Sequence, residues 1–350
     1  MTGATFHVGD VFDVLRALPA DSVDLVLTSP PFLALRSYLP DDHADKGREI
    51  GQEGTPGEFL GTLLRLTAEL DRVLAPHGSL CVELGDSYSG SNGGAGGTDP
   101  KNPGKGAGIA ASRSGDGWPL AKSLCGIPEL YAFSLAYGRN LLTGEESPAG
   151  MWRVRNLVRW VRPNPPVGAL GDKFRPATST MTVACRAKDR WFDLDAVREP
   201  HKNGVDPSTM GGNGHGYRKP GVRDAGTVAM PGNPLGAPPL DWWEVPTQPY
   251  RGAHYATWPA ALCVRPIESM CPREVCRTCG EPRRRLVDAC WSDCGHDDYR
   301  RGVVLDPFAG SGTTLAVATG HGRDAVGIDI DERNADLARE RVGMFLEVEQ

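Results

Sequence analysis

Short apolar runs flank one long amphipathic segment in the first hundred residues, and their order predicts an α/β arrangement. Residues 23–27 form an apolar run that Pro30 and Pro31 close, which is typical of a buried strand. Within residues 57–75 apolar side chains recur at helical spacing, and a second apolar run spans residues 79–84. Strand, helix and strand in succession favour parallel βαβ units.

Two glycine-rich stretches interrupt this pattern. Residues 88–117 contain ten glycines and few apolar side chains, which predicts a long mobile loop. A second stretch of this kind runs from 201 to about 240. Between them, the apolar run 180–185 and the pair Trp191 and Phe192 predict a β-hairpin.

The α/β pattern returns at residue 303, with a strand, a glycine-rich turn and a helix from about residue 313. Backbone N–H groups of the turn 310–312 can approach a ligand closely, because glycines leave the backbone bare. Asp329 ends the next strand, where a carboxylate can accept both hydroxyls of a ribose. Leu315 replaces the third glycine of the dinucleotide fingerprint, which favours a nucleoside cofactor without phosphates.

The motif Ser29-Pro30-Pro31-Phe32 follows a predicted strand, at the end where open α/β sheets bind ligands. The Ser29 hydroxyl and the Pro30 carbonyl can accept hydrogen bonds from an exocyclic amine. The ring of Phe32 can stack on a planar base. Chemistry on a base flipped out of a duplex needs this combination.

Five of the nine cysteines lie between residues 271 and 294, a spacing typical of a metal site in a reducing compartment. Cys276 and Cys279 form a CxxC knuckle that can hold a structural Zn²⁺. Cys294 is the third expected ligand, and Cys290 competes with Cys271 for the fourth position. His296 is a further candidate.

Charge and hydropathy set the remaining expectations. The formal net charge is −6, yet residues 151–190 carry nine Lys or Arg and two acids, a local balance of +7. This basic stretch indicates a nucleic-acid contact, with a solvated face as the alternative. No apolar run reaches the ~20 residues that span a bilayer, and no secretory signal is recognised. These features predict a soluble cytoplasmic protein without a membrane partner.

The catalytic motif and the turn Asp306–Gly312 resemble the signature motifs of DNA amino-methyltransferases. The catalytic motif precedes the cofactor loop by nearly 280 residues, and this permuted order is similar to the beta class. Further stretches also resemble family motifs: residues 8–10, 48–53, 84–88, 164–165, 174–178 and 254–259.

This resemblance implies a Rossmann-like, circularly permuted methyltransferase fold with a mostly parallel seven-stranded sheet and a small zinc-ribbon insertion. Residues 1–200 would form the catalytic half and residues 201–250 the target-recognition region. Residues 251–270 and 302–350 would form the cofactor-binding half, with the zinc ribbon at 271–301.

The resemblance also implies S-adenosylmethionine as cofactor, bound by Asp10, His254, Thr257, Asp306, Phe308, Gly310, Gly312, Thr313 and Asp329. It implies methyl transfer to an exocyclic nitrogen of a flipped base in double-stranded DNA. Family members with serine in the first motif position mostly methylate cytosine N4, so Ser29 favours cytosine N4. The bacterial or phage origin of the family agrees with a cytoplasmic location.

Several alternatives stay open at this stage. An adenine-N6 methyltransferase is the first, and a catalytically inactive DNA-binding module with the same fold is the second. The intact motif at Ser29 together with Asp306 and Asp329 argues against an inactive module. RNA or protein substrates and a homodimer are also open, and no residue bears on a paired restriction endonuclease.

Overall fold

The computed structural model describes residues 2–35, 37–90, 114–165, 171–201, 233, 235–247, 258–286 and 290–349. Most of the predicted mobile loop at 88–117 and most of the stretch 201–240 lie outside the described residues.

A nine-stranded sheet runs through the centre of the described structure. Its strands are β1 (Ala4–Val8), β2 (Val23–Thr28), β3 (Leu74–Leu84), β4 (Arg153–Val161), β5 (Thr178–Cys185), β6 (Trp242–Glu244), β9 (Val303–Asp306), β10 (Asp324–Asp329) and β11 (Leu346–Glu349), and β7 (Glu274–Cys276) and β8 (Tyr299–Arg301) form a separate pair. The order in the large sheet is β11-β1-β10-β9-β2-β3-β5-β4-β6. Among the described strands, only β5 pairs antiparallel to its neighbours, so the expected mostly parallel α/β sheet is confirmed, with nine strands where seven were expected.

Helices cover both faces of this sheet. The helices are α1 (Val11–Ala17), α2 (Pro56–Val73), α3 (Ile127–Tyr137), α4 (Ala260–Met270), α5 (Thr313–Gly320) and α6 (Arg333–Val342). One core packs α1, α2 and α3 against the sheet through side chains such as Leu15, Leu63 and Tyr131. The other packs α4, α5 and α6 through Leu262 and Leu315. Among the described helices, none is long and apolar enough to cross a membrane.

Helix α2 shows how local sequence sets an element's limits. Thr55 accepts a hydrogen bond from the N–H of Glu58, and the Glu58 carboxylate accepts one from the N–H of Thr55. This capping box satisfies two backbone donors that a helix start leaves unpaired. The helix predicted over 57–75 ends at Val73, and β3 begins at once with Leu74. The sharp change of direction places β3 beside β2 in parallel.

The predicted hairpin of residues 180–185 with Trp191 and Phe192 is wrong. Strand β5 pairs instead with β3 on one side and with β4 on the other. Trp191 lies outside any strand, is buried, and donates a hydrogen bond from Nε1 to the carbonyl of Arg283. The arginine-rich β4 supplies the antiparallel partner, and its Val158 and Trp160 side chains are buried in the core.

Strands β7 and β8 form a small antiparallel pair between α4 and β9, apart from the large sheet. This pair lies inside the stretch 271–301 for which the sequence predicts a metal-binding insertion. Each strand is only three residues long. A two-stranded pair of this size is marginal in water by itself, so further interactions must stabilise it.

Candidate functional site

A cleft opens at the carboxyl ends of the parallel strands, where open α/β sheets bind ligands. The segments that follow β1, β2, β9 and β10 form its walls. The lining residues are Gly9, Asp10, Val11, Ser29, Pro30, Pro31, Phe32, Leu35, Tyr38, Arg48, Glu49, Ile50, Pro307, Phe308, Gly310, Asp329, Ile330 and Asn334. The tertiary structure therefore brings the Ser29 motif and the glycine-rich turn, separated by nearly 280 residues, into one cleft.

Asp329, at the end of β10, forms one wall of the cleft. Its Oδ1 accepts hydrogen bonds from the N–H of Asp331 at 2.9 Å and from Nδ2 of Asn334 at 3.0 Å. Its Oδ2 accepts one from the N–H of Gly310 at 2.9 Å. Burial raises the pKa of Asp329 to about 6. Because a carboxylate has about four acceptor positions, these bonds leave about one for a ligand, fewer than the two ribose contacts expected from sequence.

Asp10 follows β1 and lies on the wall next to Asp329. Its Oδ1 accepts a hydrogen bond from the N–H of Phe12 at 3.0 Å, so Asp10 is the N-cap of α1. The guanidinium of Arg48 lies 3.1 Å from the same oxygen. Arg48 begins the stretch 48–53 that resembles a family motif, and no role for it follows from the sequence.

Three residues predicted to bind the cofactor lie behind the cleft wall instead of on it. Buried Asp306 accepts hydrogen bonds from Thr28 Oγ1 at 2.7 Å, Thr314 Oγ1 at 2.6 Å and the N–H of Phe308 at 3.1 Å. Burial raises the pKa of Asp306 to about 6. This carboxylate therefore links β9 to β2 and to α5, and it does not line the cleft.

Gly312 and Thr313 likewise support the turn from behind. Gly312 has φ +75°, and a Cβ there would lie 3.0 Å from Cβ of Ala338, so glycine lets α5 pack closely on α6. Thr313 is buried and accepts a hydrogen bond from Arg341. Phe308 and Gly310 do line the cleft. His254 and Thr257, also predicted to bind the cofactor, lie outside the described residues.

Ser29 is tied to a residue that sequence reasoning missed. Its Oγ donates a hydrogen bond to Oε2 of Glu83 at 2.6 Å. Glu83 lies on β3 and is almost fully buried. Burial raises its pKa, although hydrogen bonds from Ser179 and Ser29 and the charge of Arg162 oppose that shift. An acid within the apolar run 79–84 was the sequence signal for this residue.

The Phe32 ring packs against the backbone of Gly85. Gly85 follows β3, and a Cβ at that position would lie only 2.6 Å from Cε2 of Phe32. A side chain at residue 85 would therefore displace the ring. The stretch 84–88 resembles a family motif, and the close packing of the Phe32 ring explains the glycine at position 85.

The loop of residues 37–50, which the sequence analysis left unassigned before residue 48, closes another side of the cleft. The buried carboxylate of Glu49 organises it by accepting hydrogen bonds from the N–H groups of Tyr38 at 2.7 Å and Leu39 at 2.5 Å. Lys46 Nζ lies 3.1 Å from Oε2 of Glu49. Arg333 also donates to the Tyr38 carbonyl, which joins the loop to the start of α6.

A second cluster of side chains lies in the insertion. Ligand atoms of Cys276, Cys279, Cys294 and His296 all lie within 4.8 Å of one another. Hydrogen bonds from Tyr299 and His296 lower the pKa of Cys294 to about 6, which favours the thiolate form that binds metals. Three sulfurs and one imidazole nitrogen are a typical tetrahedral set for Zn²⁺.

This cluster differs from the ligand set expected from sequence. Cys271 is fully buried at the end of α4, where its carbonyl accepts hydrogen bonds from Arg323, and it does not join the cluster. Cys290 is exposed and does not join it either. The fourth member of the cluster is His296, the further candidate named above, whose Nδ1 lies 3.5 Å from the sulfurs of both Cys276 and Cys294.

The basic stretch 151–190 is not one surface. Thr180 pairs with Leu84 at the cleft end of the sheet, whereas Arg153 pairs with Cys185. Cys185 lies five residues after Thr180 on β5, which corresponds to about 16 Å along the strand. Arg153 and Arg155 therefore lie at the edge of the sheet away from the cleft. Lys173, over the ring of Tyr88 at 3.5 Å, lies on the cleft side.

The fold belongs to the class of DNA-methyltransferase folds. PvuII DNA methyltransferase, described as cytosine-N4-specific, has a similar fold, with a TM-score of 0.56 and 14% identity over 97% of this chain and 86% of that one. Within this class, the family N6_N4_Mtase, DNA methylase, matches residues 23–340, and the chain belongs to it. The beta-class DNA amino-methyltransferase expected from sequence is thereby confirmed.

Two relatives extend over nearly the whole chain. Type II methyltransferase M.Cfr9I of Citrobacter freundii is 30% identical over 344 residues, which cover 98% of this chain and 88% of that relative. Type II methyltransferase M.SmaI of Serratia marcescens is 27% identical over 335 residues, 96% of this chain and 89% of that relative. These similarities agree with a DNA methyltransferase of the N4/N6 family.

Proposed function

We propose that this protein transfers a methyl group from S-adenosylmethionine to the exocyclic N4 of cytosine in double-stranded DNA. The observation that carries the proposal is the hydrogen bond from Ser29 Oγ to the buried Glu83 at the cleft. Because the hydroxyl proton points to Glu83, the lone pairs of Ser29 Oγ are available to an incoming amine N–H.

The cleft fits a nucleoside cofactor that carries a sulfonium and no phosphates. Asp329 retains acceptor capacity for a ribose hydroxyl, and Asp10 offers an acceptor for an adenine amine at the end of the neighbouring strand. Phe308 and Gly310 complete this wall. We include Asp306, Gly312 and Thr313 as residues that hold the turn in shape. S-adenosylmethionine, when bound, supplies an electrophilic methyl group.

The residues after β2 would hold the target base. An exocyclic amine is a good nucleophile only when its lone pair leaves conjugation with the ring. Acceptors at Ser29 Oγ and the Pro30 carbonyl would favour that geometry, and Phe32 would stack on the base. As the N–C bond forms and the methyl–sulfur pair goes to sulfur, the amine must lose one proton. Ser29 backed by Glu83, with its raised pKa, provides an acceptor for that proton.

Cytosine N4 is favoured over adenine N6 by the serine in the first motif position. The similarity to PvuII DNA methyltransferase, which is described as cytosine-N4-specific, agrees with this choice. The adenine-N6 alternative uses the same cleft and the same cofactor, so it differs only in the base that fits beside Phe32.

The proposed division of the chain follows from this assignment. Residues 1–200 would present the base-binding side and residues 251–270 with 302–350 the cofactor side of a circularly permuted fold. The stretch 201–250 would read the DNA sequence, and the target base would flip into the cleft. We further propose that Cys276, Cys279, Cys294 and His296 bind one structural Zn²⁺, since a closed set of four protein ligands leaves no open position for catalysis.

Product analysis tests the function directly. The full chain is incubated with duplex DNA and methyl-labelled S-adenosylmethionine, and the DNA is then digested to nucleosides. N4-methylcytosine supports the proposal, whereas N6-methyladenine would support the adenine-N6 alternative. Label that never reaches DNA while the cofactor binds would refute both.

A variant pair tests the base-binding role. Phe32→Ala should lose base stacking of ~1–3 kcal/mol, so methyl transfer should fall by about 5- to 150-fold while cofactor binding survives. Phe133→Ala is the matched control, because Phe133 is a partly exposed phenylalanine on α3 that does not line the cleft. Equal activity of both variants would reject the role of Phe32.

A further inference from the structure

A fully buried carboxylate on β2 receives its main partner from the metal-binding insertion. Asp24 has 0% exposure and lies five residues before Ser29 on the strand that leads into the catalytic motif. Arg300 contacts it with both terminal nitrogens, Nη1 to Oδ2 at 2.5 Å and Nη2 to Oδ1 at 3.0 Å. The N–H of Val303 and Nε2 of His77 complete the set, each at 2.8 Å.

This arrangement makes Arg300 essential to the state of Asp24. Burial favours the neutral form, but hydrogen bonds from His77 and Arg300 outweigh it and lower the pKa of Asp24, so the group is charged at neutral pH. A buried ion pair that loses one partner leaves an uncompensated charge inside the protein, which is strongly destabilising. The strand β2 therefore depends on an arginine that belongs to another part of the chain.

The metal knuckle, which we define as residues 274–301, holds Arg300 through only three-residue strands. Cys276 pairs with Tyr299, and Val275 pairs with Arg300. The hydroxyl of Tyr299 lies 3.4 Å from Cys294 Sγ. Cys276, a member of the cluster, is therefore the chain neighbour of Val275, the residue that pairs with Arg300. Because the two strands are short, they need an additional constraint to keep their register.

We infer that a metal ion at the knuckle holds Arg300 against Asp24 and so keeps β2, with Ser29 at its end, in its native position. The inference rests on the zinc site proposed above and adds a role for it. None of the four residues of the cluster lines the cleft. The bound ion would stabilise the strand pair β7–β8, which positions the guanidinium of Arg300. That guanidinium neutralises the charge of Asp24 in the centre of the large sheet.

Hydrogen exchange on the intact protein tests this coupling without any substitution. The zinc content of the full chain is first measured by elemental analysis, and the protein is then compared with and without a zinc chelator. Chelation should raise exchange in residues 23–28 together with residues 299–301, while β1 and β10 keep their protection. Increased exchange confined to residues 274–301 would overturn the inference and leave the zinc site intact. A chain purified without metal would overturn both, whereas methyl transfer to DNA is tested separately.

A double variant provides the second test. Asp24→Asn combined with Arg300→Gln removes both charges and keeps a hydrogen-bonding amide at each position. Chelation should lower the melting temperature of the wild type by more than about 5 °C and that of the double variant by less than half as much. Arg277→Gln is the control, since Arg277 is an exposed arginine of the same knuckle that pairs with exposed Asp298. Equal losses in the wild type, the control and the double variant would contradict the inference.

Discussion

Ser29 Oγ and Glu83 Oε2 lie 2.6 Å apart across the boundary between β2 and β3. The two residues are 54 positions apart in the chain, and the parallel pairing of their strands brings them together. The serine is half-buried at the cleft, whereas the glutamate is buried beneath it. Because the Ser29 hydroxyl donates its proton to Glu83, its lone pairs are oriented to accept a hydrogen bond at the cleft.

Glu83→Gln should lower kcat for methyl transfer by on the order of 100-fold, because the amide is a far weaker proton acceptor than the carboxylate. Cofactor affinity should stay within about twofold of wild type, since Glu83 does not line the cleft. Steady-state kinetics and calorimetry measure the two quantities. The double variant with Ser29→Ala should be little worse than either single variant, because the two residues act as one unit. Fully additive losses would show that they act independently.

S-adenosylmethionine binding should weaken as the pH falls through about 6. Asp329 has a raised pKa of about 6, so it is charged and accepts hydrogen bonds above that value and is protonated below it. Calorimetric titrations between pH 8 and pH 5 should show the loss. In Asp329→Asn the affinity should be lower at pH 8 and nearly independent of pH over this range. The same pH dependence in that variant would assign the effect to another group.

The raised pKa of Asp306 has a consequence for stability. A carboxyl whose folded pKa of about 6 exceeds its unfolded value of 3.8 binds protons more readily in the folded state. Its contribution to stability is therefore full below about pH 4 and is lost as the pH rises through about 6. Asp306→Asn should flatten the change in unfolding free energy over this window, measured by urea titration. Asp336→Asn, at an exposed site on α6, is the control and should leave the pH profile unchanged.

Charges on the cleft side of the sheet should bind DNA, and those on the far edge should not. Removing Lys173 and Arg175 together should weaken DNA binding and reduce the slope of log affinity against log salt by about 1 to 2. Removing Arg153 and Arg155, which lie at the opposite edge, should leave that slope unchanged. Fluorescence anisotropy over a series of salt concentrations distinguishes these variants. A comparable effect of the far-edge pair would show that both ends of the basic stretch contact DNA.

Zinc retention should follow the geometry of the cluster. Cys279→Ser and His296→Ala should each lose the ion, because each removes one of four ligands. Cys290→Ser should keep about one Zn²⁺ per chain, since its sulfur lies outside the cluster. Elemental analysis of the three purified variants measures this difference. Metal loss in Cys290→Ser with retention in His296→Ala would reverse the assignment in favour of four cysteines.

The sequence by itself determined the elements and motifs whose information is local. Helix α2, β2 and the glycine-rich turn before α5 follow from apolar periodicity, prolines and glycines within a few residues of each other. The family also followed from motifs and their order. The CxxC knuckle predicted a metal site because two thiols at that spacing can bind one ion in almost any surrounding fold.

The tertiary structure alone decided which distant residues meet. The order of strands places β2 between β9 and β3, and this order brings Glu83 to Ser29, Asp306 to Thr28 and Arg300 to Asp24. The cluster contains His296 and not Cys290, and His296 follows Cys294 by only two residues. The basic stretch was divided between two edges because β4 and β5 run antiparallel across the sheet. None of these pairings leaves a periodic trace in the chain, since hydrogen bonds and ion pairs between strands depend on sheet register and not on sequence spacing.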